Sequence, residues 1–481
     1  MTPRRRPILM QLSLKMLPFS DAASADFPLS ALLRLSLFQV SVGMASVLLL
    51  GTLNRVMIVE LSVAAVIVAA MIALPVLIAP FRAMLGFKSD TYRSAIGWKR
   101  IPFLWFGTLW QFGGLACMPF ALLVLSGDNT YDIPFAGEVL AALAFIMTGL
   151  GLHMTQTAGL ALASDRATDE TRPRVVALLY VMFLIGVGVS SLIIGYLLRD
   201  FTPLKLIQVV QGAAVLTAVL NVTALWKQES VAPMSAEERA APRPLFRDAW
   251  NDYITGGQAG RLLLVVFLGA MAFNMQDVLL EPYGAEVLGL PVAGTTLLTA
   301  AWASGALAGF GLAAHWLARG INPYRMASRG ILAGIAAFCC VIFAAPLDWV
   351  AMFFTGAVLI GFGGGLFSVA TLMAAMSMPA KGLAGRGLAL GAWGAAQATA
   401  SGLSIFIGGA VRDVVNANAL AGNLGVALND AATGYSVVYH MEIGLLFLTL
   451  VVLGPLVKLV RRDPFQQQQG KARFGLAELP S

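Results

Sequence analysis

Twelve long apolar stretches limit what this chain can fold into more than any other feature of its 481 residues. A helix that crosses a bilayer needs roughly 20 consecutive, mostly apolar residues. Stretches suited to this lie at about 32–53, 61–81, 101–126, 137–163, 174–198, 204–226, 260–281, 291–317, 327–345, 349–377, 386–410 and 434–458. Only 12% of the residues are charged, whereas soluble domains carry about 25%. The chain is therefore predicted to be an all-α, polytopic membrane protein with twelve transmembrane helices.

The order of polar and apolar stretches divides the chain into two six-helix halves. The predicted domains are a cytoplasmic N-terminal interfacial segment at 1–29, a first half at 30–226, a cytoplasmic linker at 227–259, a second half at 260–460 and a cytoplasmic tail at 461–481. Within the linker, Phe246, Trp250 and Tyr253 recur at helical spacing. They predict a short amphipathic helix that lies on the membrane surface and joins the halves.

Lysine and arginine are distributed unevenly between the two sides that twelve spans define. Of the 32 Lys and Arg residues, only Arg55, Arg199, Lys205 and Arg412 fall on the side opposite to the termini. Cytoplasmic loops of membrane proteins carry the excess of basic residues, so both termini are predicted to be cytoplasmic. The same bias accounts for the net charge of +7, and no nucleic-acid partner is expected.

A weak internal repeat relates the two halves. A shift of 212 positions matches Gly149 with Gly361, Gly151 with Gly363 and Arg174 with Arg386. Repeated bundles that face each other across a cavity at the bilayer midplane are typical of the major facilitator architecture. The repeat therefore predicts a major facilitator fold in two six-helix halves.

The seventh predicted span contains polar groups that lipid tolerates poorly. Asn274, Asp277 and Glu281 fall at positions i, i+3 and i+7 of one helix face, and Gln276 points elsewhere. Charged side chains at this depth cost roughly 2.5–3.5 kcal/mol on insertion scales and usually face a cavity or a partner. Two interpretations stay open. Asp277 and Glu281 either have a structural role, for example by pairing with Arg55, or line a substrate or pigment site.

Two further spans present polar faces. The fourth span has one face with His153, Gln156 and Thr157, and the first span ends with Asn54, Arg55 and Glu60. The first, fourth, seventh and tenth helices line the cavity of the major facilitator fold, and the tenth offers Ser368 and Thr371. These faces therefore predict a functional cavity between the halves.

The three histidines are candidate ligands. A neutral imidazole can relay protons or bind a metal such as the magnesium of a chlorin, although a histidine on a helix also serves as an ordinary hydrogen-bonding group. His153 is the first candidate, and His440 and His315 are secondary pigment-ligand candidates. No metal-binding spacing is present, so no metal site built by the protein alone is expected. Trp302 is expected to lie in an interfacial aromatic belt or to pack against lipid.

Four long segments carry a specific family resemblance. They lie at 35–61, 73–100, 151–178 and 275–289, and the last reads MQDVLLEPYGAEVLG. They resemble the PucC/LhaA family, the bacteriochlorophyll delivery branch of the major facilitator superfamily, over nearly all of residues 30–460. The segment at 73–100 also resembles the major facilitator loop motif, whose Asp and basic residues latch the halves together. Residues predicted to act in the latch or as structural polar groups are Asn54, Arg55, Glu60, Asp90, Arg93, Arg100, Arg174 and Arg386.

The resemblance implies a function in photosynthetic purple bacteria. Members support the assembly of light-harvesting complexes, with the LH1 antenna favoured here over LH2. The implied protein is not an enzyme. It binds or delivers bacteriochlorophyll, and carotenoid or lipid are further candidate ligands. It chaperones antenna α and β polypeptides in the inner or intracytoplasmic (chromatophore) membrane, with the reaction centre–LH1 complex as a further partner. The alternative is a proton-coupled secondary transporter of a tetrapyrrole or other small solute, with Asp277 or Glu281 as its coupling carboxylate.

Overall fold

A computed structural model describes most of the chain, and its regular structure is helical throughout the described residues. These residues are 22–23, 27–53, 56–57, 65–92, 94, 96–125, 135–198, 202–230, 245–255, 258–290, 292–378, 385–425, 428–430 and 432–460. The predicted all-α fold is confirmed.

The helices follow the predicted apolar stretches. In the first half α1 is Leu29–Ser46, which continues as a π-helix over Val47–Thr52, and then come α2 Ala65–Ile78, α3 Phe81–Thr91, α4 Ile101–Leu125, α5 Ala136–Arg166, α6 Arg172–Leu197 and α7 Pro203–Leu225. The linker contains α8, Phe246–Thr255. In the second half α9 is Gln258–Asn274, followed by a 3-10 turn over Met275–Val278, and then come α10 Leu280–Glu286, α11 Val292–Ala318, α12 Pro323–Ala344, α13 Val350–Met376, α14 Arg386–Leu420 and α15 Ala432–Val460.

Ten spans within the described residues are long and apolar enough to cross a membrane. Two predicted spans are not among them. The stretch at 61–81 contains α2, which is described over only 14 residues. The stretch at 291–317 contains α11, a helix of 27 residues. With these two added, the helices agree with the predicted total of twelve.

The packing of the helices repeats from one half to the other. In the first half α4 packs on α5 and α7, α1 packs on α6 and α7, and α2 packs on α5. In the second half the equivalent pairs recur, because α12 packs on α13 and α15, α9 packs on α14 and α15, and α11 packs on α13. The halves meet where α3 packs on α14 and where α6 packs on α11, which is again a symmetric pair of contacts.

The glycines matched by the internal repeat make equivalent contacts. A Cβ atom on Gly149 of α5 would overlap Pro75 of α2, and one on Gly361 of α13 would overlap the Trp302 carbonyl group of α11. Gly151 lies in the same way against α4, and Gly363 against α12. Small residues allow helix backbones to approach closely in membranes, so the repeated glycines preserve the same helix contacts in both halves.

Two spans continue as helix well beyond their predicted ends. The second span was expected to end at residue 81, but a turn at 79–80 is followed by α3, which continues to Thr91. Pro80 has no N–H group to donate, so the helical hydrogen-bond pattern breaks at this turn. The chain becomes helical again directly after it, as α3. Asp90 therefore lies in the last turn of a helix and not in a loop. The eleventh span, expected to end at 410, continues as α14 to Leu420.

The predicted linker helix is present as α8, and it packs against both halves. Its residues Ala249 and Tyr253 are buried in one apolar cluster with Phe87 of α3 and Leu388 of α14. The Phe246 ring lies edge-on to Phe87, with 5.5 Å between the ring centroids. The linker therefore covers the end of the bundle at which α3 meets α14, which we call the latch end. The end that carries Glu286 and Arg412 is called the far end.

Candidate functional site

A cavity of about 430 Å³ lies between the two halves. The first half contributes α6, and the second half contributes α9, α10, α11, α13, α14 and the 3-10 turn. Most of its wall is apolar or aromatic. The polar side chains that line it are Tyr180, Asn274, Gln276, Asp277, Glu281, Trp302, Ser368, Thr371 and Gln397.

A break in the seventh span positions the cavity's amide and acidic groups. After α9 ends, the 3-10 turn directs the Asp277 side chain into the cavity, where it is exposed. Asn274 donates a hydrogen bond from Nδ2 to Ser401 Oγ of α14 at 2.5 Å. Gln276 donates from Nε2 to Asp277 Oδ1. The prediction that Gln276 points elsewhere was wrong, because a continuous helix was assumed and the tighter 3-10 turn changes the direction of each side chain.

The remaining polar wall comes from α6, α10 and α13. Glu281 is exposed at the cavity, and Ser368 and Thr371 line its α13 side. Tyr180 donates from its hydroxyl group to the Ser368 carbonyl oxygen at 3.4 Å, which links the two halves beside the cavity. The cavity thus combines hydrogen-bonding groups with apolar walls, as ligand sites do.

Sequence reasoning missed three cavity residues and placed one of them wrongly. Trp302 lines the cavity, whereas a position in an interfacial belt or against lipid was expected. Tyr180 and Gln397 also line it. Tyr180 and Trp302 are aromatic residues in apolar helices, so a polar pattern does not mark them, whereas Gln397 shares a face of α14 with Ser401 and Ser404, a pattern that could have marked it. The packing of α6 and α11 across the boundary between the halves places Tyr180 and Trp302 at the cavity.

His153 lies outside this cavity. Its imidazole is buried in α5, and Nε2 lies 2.9 Å from the Pro75 carbonyl oxygen of α2. In a continuing α-helix that carbonyl would accept from the Ala79 amide, but Ala79 bonds to Val76 instead. The Pro75 oxygen is therefore available to His153. A smaller cavity of about 140 Å³ adjoins the histidine, and its wall is almost entirely apolar.

The neighbours of His153 on α5 also lie away from the central cavity. Gln156 is half-buried, and Thr157 is buried. Thr157 Oγ1 accepts from Arg82 Nε at 3.1 Å, and Arg82 Nη1 donates to the Gly394 carbonyl oxygen of α14 at 3.3 Å. Arg82 thus joins the halves. Sequence reasoning counted it only as a basic loop residue, because the second span was expected to end there.

Asp90 forms the centre of the latch end. Its two carboxylate oxygens accept from the backbone amides of Gly387 and Leu388, at 2.9 and 2.8 Å. Those amides belong to the first turn of α14, where N–H groups lack partners within the helix and carry partial positive charge. Asp90 also pairs with Arg100 at 2.5 Å. A carboxylate of the first half therefore caps a helix of the second half.

Arg100 extends the latch to α5. Its side chain is only 1% exposed and bonds to Asp165 at 3.0 Å as well as to Asp90. Burial lowers the pKa of Arg100 and the Asp165 and Asp90 carboxylates raise it, with a net upward direction. Arg386 of α14 lies 3.7 Å from the same Asp165. The predicted latch residues Asp90, Arg100 and Arg386 therefore meet in one network.

The other predicted polar residues have separate positions. Asn54, Arg55, Glu60 and Arg93 lie outside the described residues. Arg174 lies in the first turn of α6. At the far end, Arg412 pairs with Glu286 at 2.5 Å and donates to the Tyr435 hydroxyl group at 2.8 Å. This second-half network connects α10, α14 and α15.

The two secondary histidine candidates are both exposed. His315 lies in the last turn of α11, and His440 lies on the outer side of α15. Neither lines the central cavity, so no imidazole from the described residues reaches it. Glu442 of α15 was not considered as a candidate. It is fully buried and interacts electrostatically with Asp277.

The repeated helix bundles, the inter-half cavity and the latch define a multi-pass membrane protein of the major facilitator fold. The crystal structure of a bacterial homologue of iron transporter ferroportin in outward-facing state superposes with a TM-score of 0.67 at 15% identity, and covers 90% of this chain and 100% of that chain. This similarity concerns the fold alone.

The family is shown by sequence similarity. The profile described as "PUCC protein" matches residues 52–460, and the chain belongs to this family. It is 60% identical over 476 residues to "Uncharacterized protein in puhA-bchM intergenic region" of Rhodobacter capsulatus, covering 99% of both chains. It is 54% identical over 405 residues to "Protein PucC" of Rhodovulum sulfidophilum, covering 83% of this chain and 89% of the relative.

Proposed function

We propose that this chain is a non-enzymatic assembly factor for a bacterial light-harvesting antenna, and that it binds bacteriochlorophyll and holds newly inserted antenna polypeptides. Membership of the PUCC family supports a place in the pigment-complex system of purple bacteria. The LH1 antenna is the favoured client. The excess of Lys and Arg on one side supports an inner or intracytoplasmic membrane location with both termini in the cytoplasm.

The character of the central cavity is the observation that carries this proposal. Its walls are mainly apolar and aromatic, and its hydrogen-bonding groups are few. Bacteriochlorophyll is an amphiphile whose large apolar surface matches such walls and whose ring carbonyls accept hydrogen bonds. The side-chain amides of Asn274 and Gln397 are the donors that could orient it. Because no imidazole of the described residues lines the cavity, the magnesium would take its axial ligand from elsewhere.

Inactivation of the gene in its photosynthetic host tests the proposal. We expect the absorption of the assembled LH1 antenna to fall to the level of a strain that lacks antenna polypeptides, while the transcripts for those polypeptides persist. Wild-type chain supplied in trans should restore the band. Loss of the LH2 band with LH1 intact would assign the chain to the other antenna. Normal levels of both antennae in the inactivated strain would contradict the proposed function.

Proton-coupled transport is the second candidate, and Asp277 favours it. The Asp277 carboxylate is exposed in the cavity beside a helix break, and buried Glu442 interacts with it. Membrane-embedded carboxylates of this kind mark proton relays. In proteoliposomes with an imposed pH gradient, Asp277→Asn should abolish solute flux, because an amide cannot carry the proton. Asp169→Asn, at a carboxylate that is 88% exposed, is the matched control. Equal flux in both variants would exclude Asp277 as the coupling group.

A further inference from the structure

A second large concavity lies on the outer side of the bundle, toward the far end. Its volume is about 660 Å³, and it is lined by α12, by α15, by Tyr283 of α10 and, between α14 and α15, by Leu424, Leu428 and Asp430. Ile342, Leu424 and Met441 contribute apolar surface, whereas Asp430, Thr433 and Ser436 contribute polar groups. The groove therefore has the mixed character that suits an amphiphilic ligand. His440 lines it and is exposed.

The hydrogen bond made by His440 fixes its tautomer. Nδ1 lies 2.7 Å from the Ser436 carbonyl oxygen. A carbonyl oxygen can only accept, so Nδ1 carries the proton and Nε2 has the lone pair. Nε2 has no hydrogen-bond partner among the described residues. Histidines that bind metals are held in this way, with one ring nitrogen donating to a backbone carbonyl and the other facing the metal.

Neither of the other two histidines has both a ring held by a backbone carbonyl and a free ring nitrogen that faces a large groove. His153 also has one ring nitrogen, Nε2, held by a backbone carbonyl, that of Pro75, but it is buried and its Nδ1 atom has only a small cavity of about 140 Å³ beside it. His315 is exposed, but it lines none of the five cavities considered, and no backbone carbonyl of the described residues holds its ring. Only His440 therefore presents an oriented lone pair to a space large enough for a ligand.

We propose that His440 is the axial ligand for the central metal of a magnesium tetrapyrrole that binds in the α12–α15 groove. This inference rests on the proposed pigment-binding function and adds a pigment site on the flank of the bundle, separate from the central cavity. The Ser436 carbonyl orients the imidazole and raises its basicity as a ligand. Because His440 lies two helical turns inside the start of α15, the pigment would bind within the membrane near the far end.

Pigment binding by purified full-length variants tests this site. Bacteriochlorophyll a and its magnesium-free form, bacteriopheophytin a, are titrated separately into wild type and His440→Leu in detergent. We expect His440→Leu to weaken bacteriochlorophyll binding about tenfold or more, the range seen when even a supporting partner of a metal ligand is removed. Bacteriopheophytin has no metal to ligate, so its binding should change little. In His440→Gly, added imidazole should restore the wild-type absorption of ligated bacteriochlorophyll.

Two histidine variants serve as controls. His315→Leu removes an exposed imidazole from another helix, and His153→Gln retains a donor for Pro75. Both should bind bacteriochlorophyll as wild type does. Unchanged bacteriochlorophyll affinity and absorption in His440→Leu would overturn the His440 site while leaving the proposed function standing. Failure of wild type to bind either pigment would overturn the pigment-binding part of the proposed function, and this site with it.

Discussion

Asp90→Ala is expected to lower the free energy of unfolding by about 3–5 kcal/mol, the range found when one partner of a buried ion pair is removed. The alanine leaves Arg100 without one of its two carboxylates, although Arg100 is only 1% exposed. It also leaves the Gly387 and Leu388 amides of α14 without their acceptor. Reversible unfolding in mixed detergent micelles measures the change. Asp90→Asn should show a smaller loss, because an amide oxygen still accepts one hydrogen bond.

Asp169→Ala is the matched control for this prediction. Asp169 pairs with Arg172 at 2.7 Å, but its side chain is 88% exposed. Exposed ion pairs contribute at most about 1 kcal/mol, so this variant should unfold close to wild type. Equal stability of Asp90→Ala and Asp169→Ala would show that the latch does not hold the halves together.

Gly86→Ala should destabilise the contact between the halves by about 2 kcal/mol or more, as overpacking does in tightly packed interiors. A Cβ atom on Gly86 of α3 would overlap the Gly387 carbonyl group of α14. The added Cβ atom and the Gly387 carbonyl group are both fixed by helix backbone and cannot rotate away from each other. The helices α3 and α14 must therefore separate. The expected readouts are a lower midpoint of unfolding and faster modification of a cysteine introduced at the latch end.

Gly409→Ala tests whether this effect is specific. Gly409 belongs to α14, and a Cβ atom there would meet nothing within 4 Å. Alanine favours helix by up to about 1 kcal/mol relative to glycine, so this variant should be as stable as wild type or slightly more stable. If Gly86→Ala behaved like Gly409→Ala, the close approach of α3 and α14 would be refuted.

Hydropathy was sufficient to predict the twelve-helix fold, because each helix must present an apolar surface to lipid over a fixed length. The internal repeat predicted the two halves, and the contacts of Gly149 and Gly361 show why it is retained. The latch was predicted from its resemblance to a known motif. Its full geometry required the structure, since Asp165 lies far from Asp90 and Arg386 along the chain.

The cavity was predicted less well. The expected cavity-lining face of the fourth span, with His153 and Thr157, instead packs against α2 and bonds to Arg82. Helical periodicity shows which residues share a face but not which neighbour that face meets. The 3-10 turn at Met275–Val278 was also missed, because no proline or glycine within it signals a break. Pro282, the nearest, lies beyond the turn.

The latch and the proposed pigment sites lie in different parts of the molecule. At the latch end, α3, α8 and α14 close the space between the halves. The central cavity and the groove beside His440 lie beyond that closure. A bundle held shut at one end can present fixed apolar surfaces to a pigment and to an antenna helix, which is what an assembly factor requires.

The composition of the chain purified from pigment-synthesising membranes tests the central claim most directly. The chain is isolated in mild detergent under dim light, its absorption spectrum is recorded, and its bound pigments and polypeptides are identified. We expect a bacteriochlorophyll band, and antenna α and β polypeptides that elute with the chain. A folded chain that elutes without chlorin and without antenna polypeptides, from membranes that contain both, would contradict it.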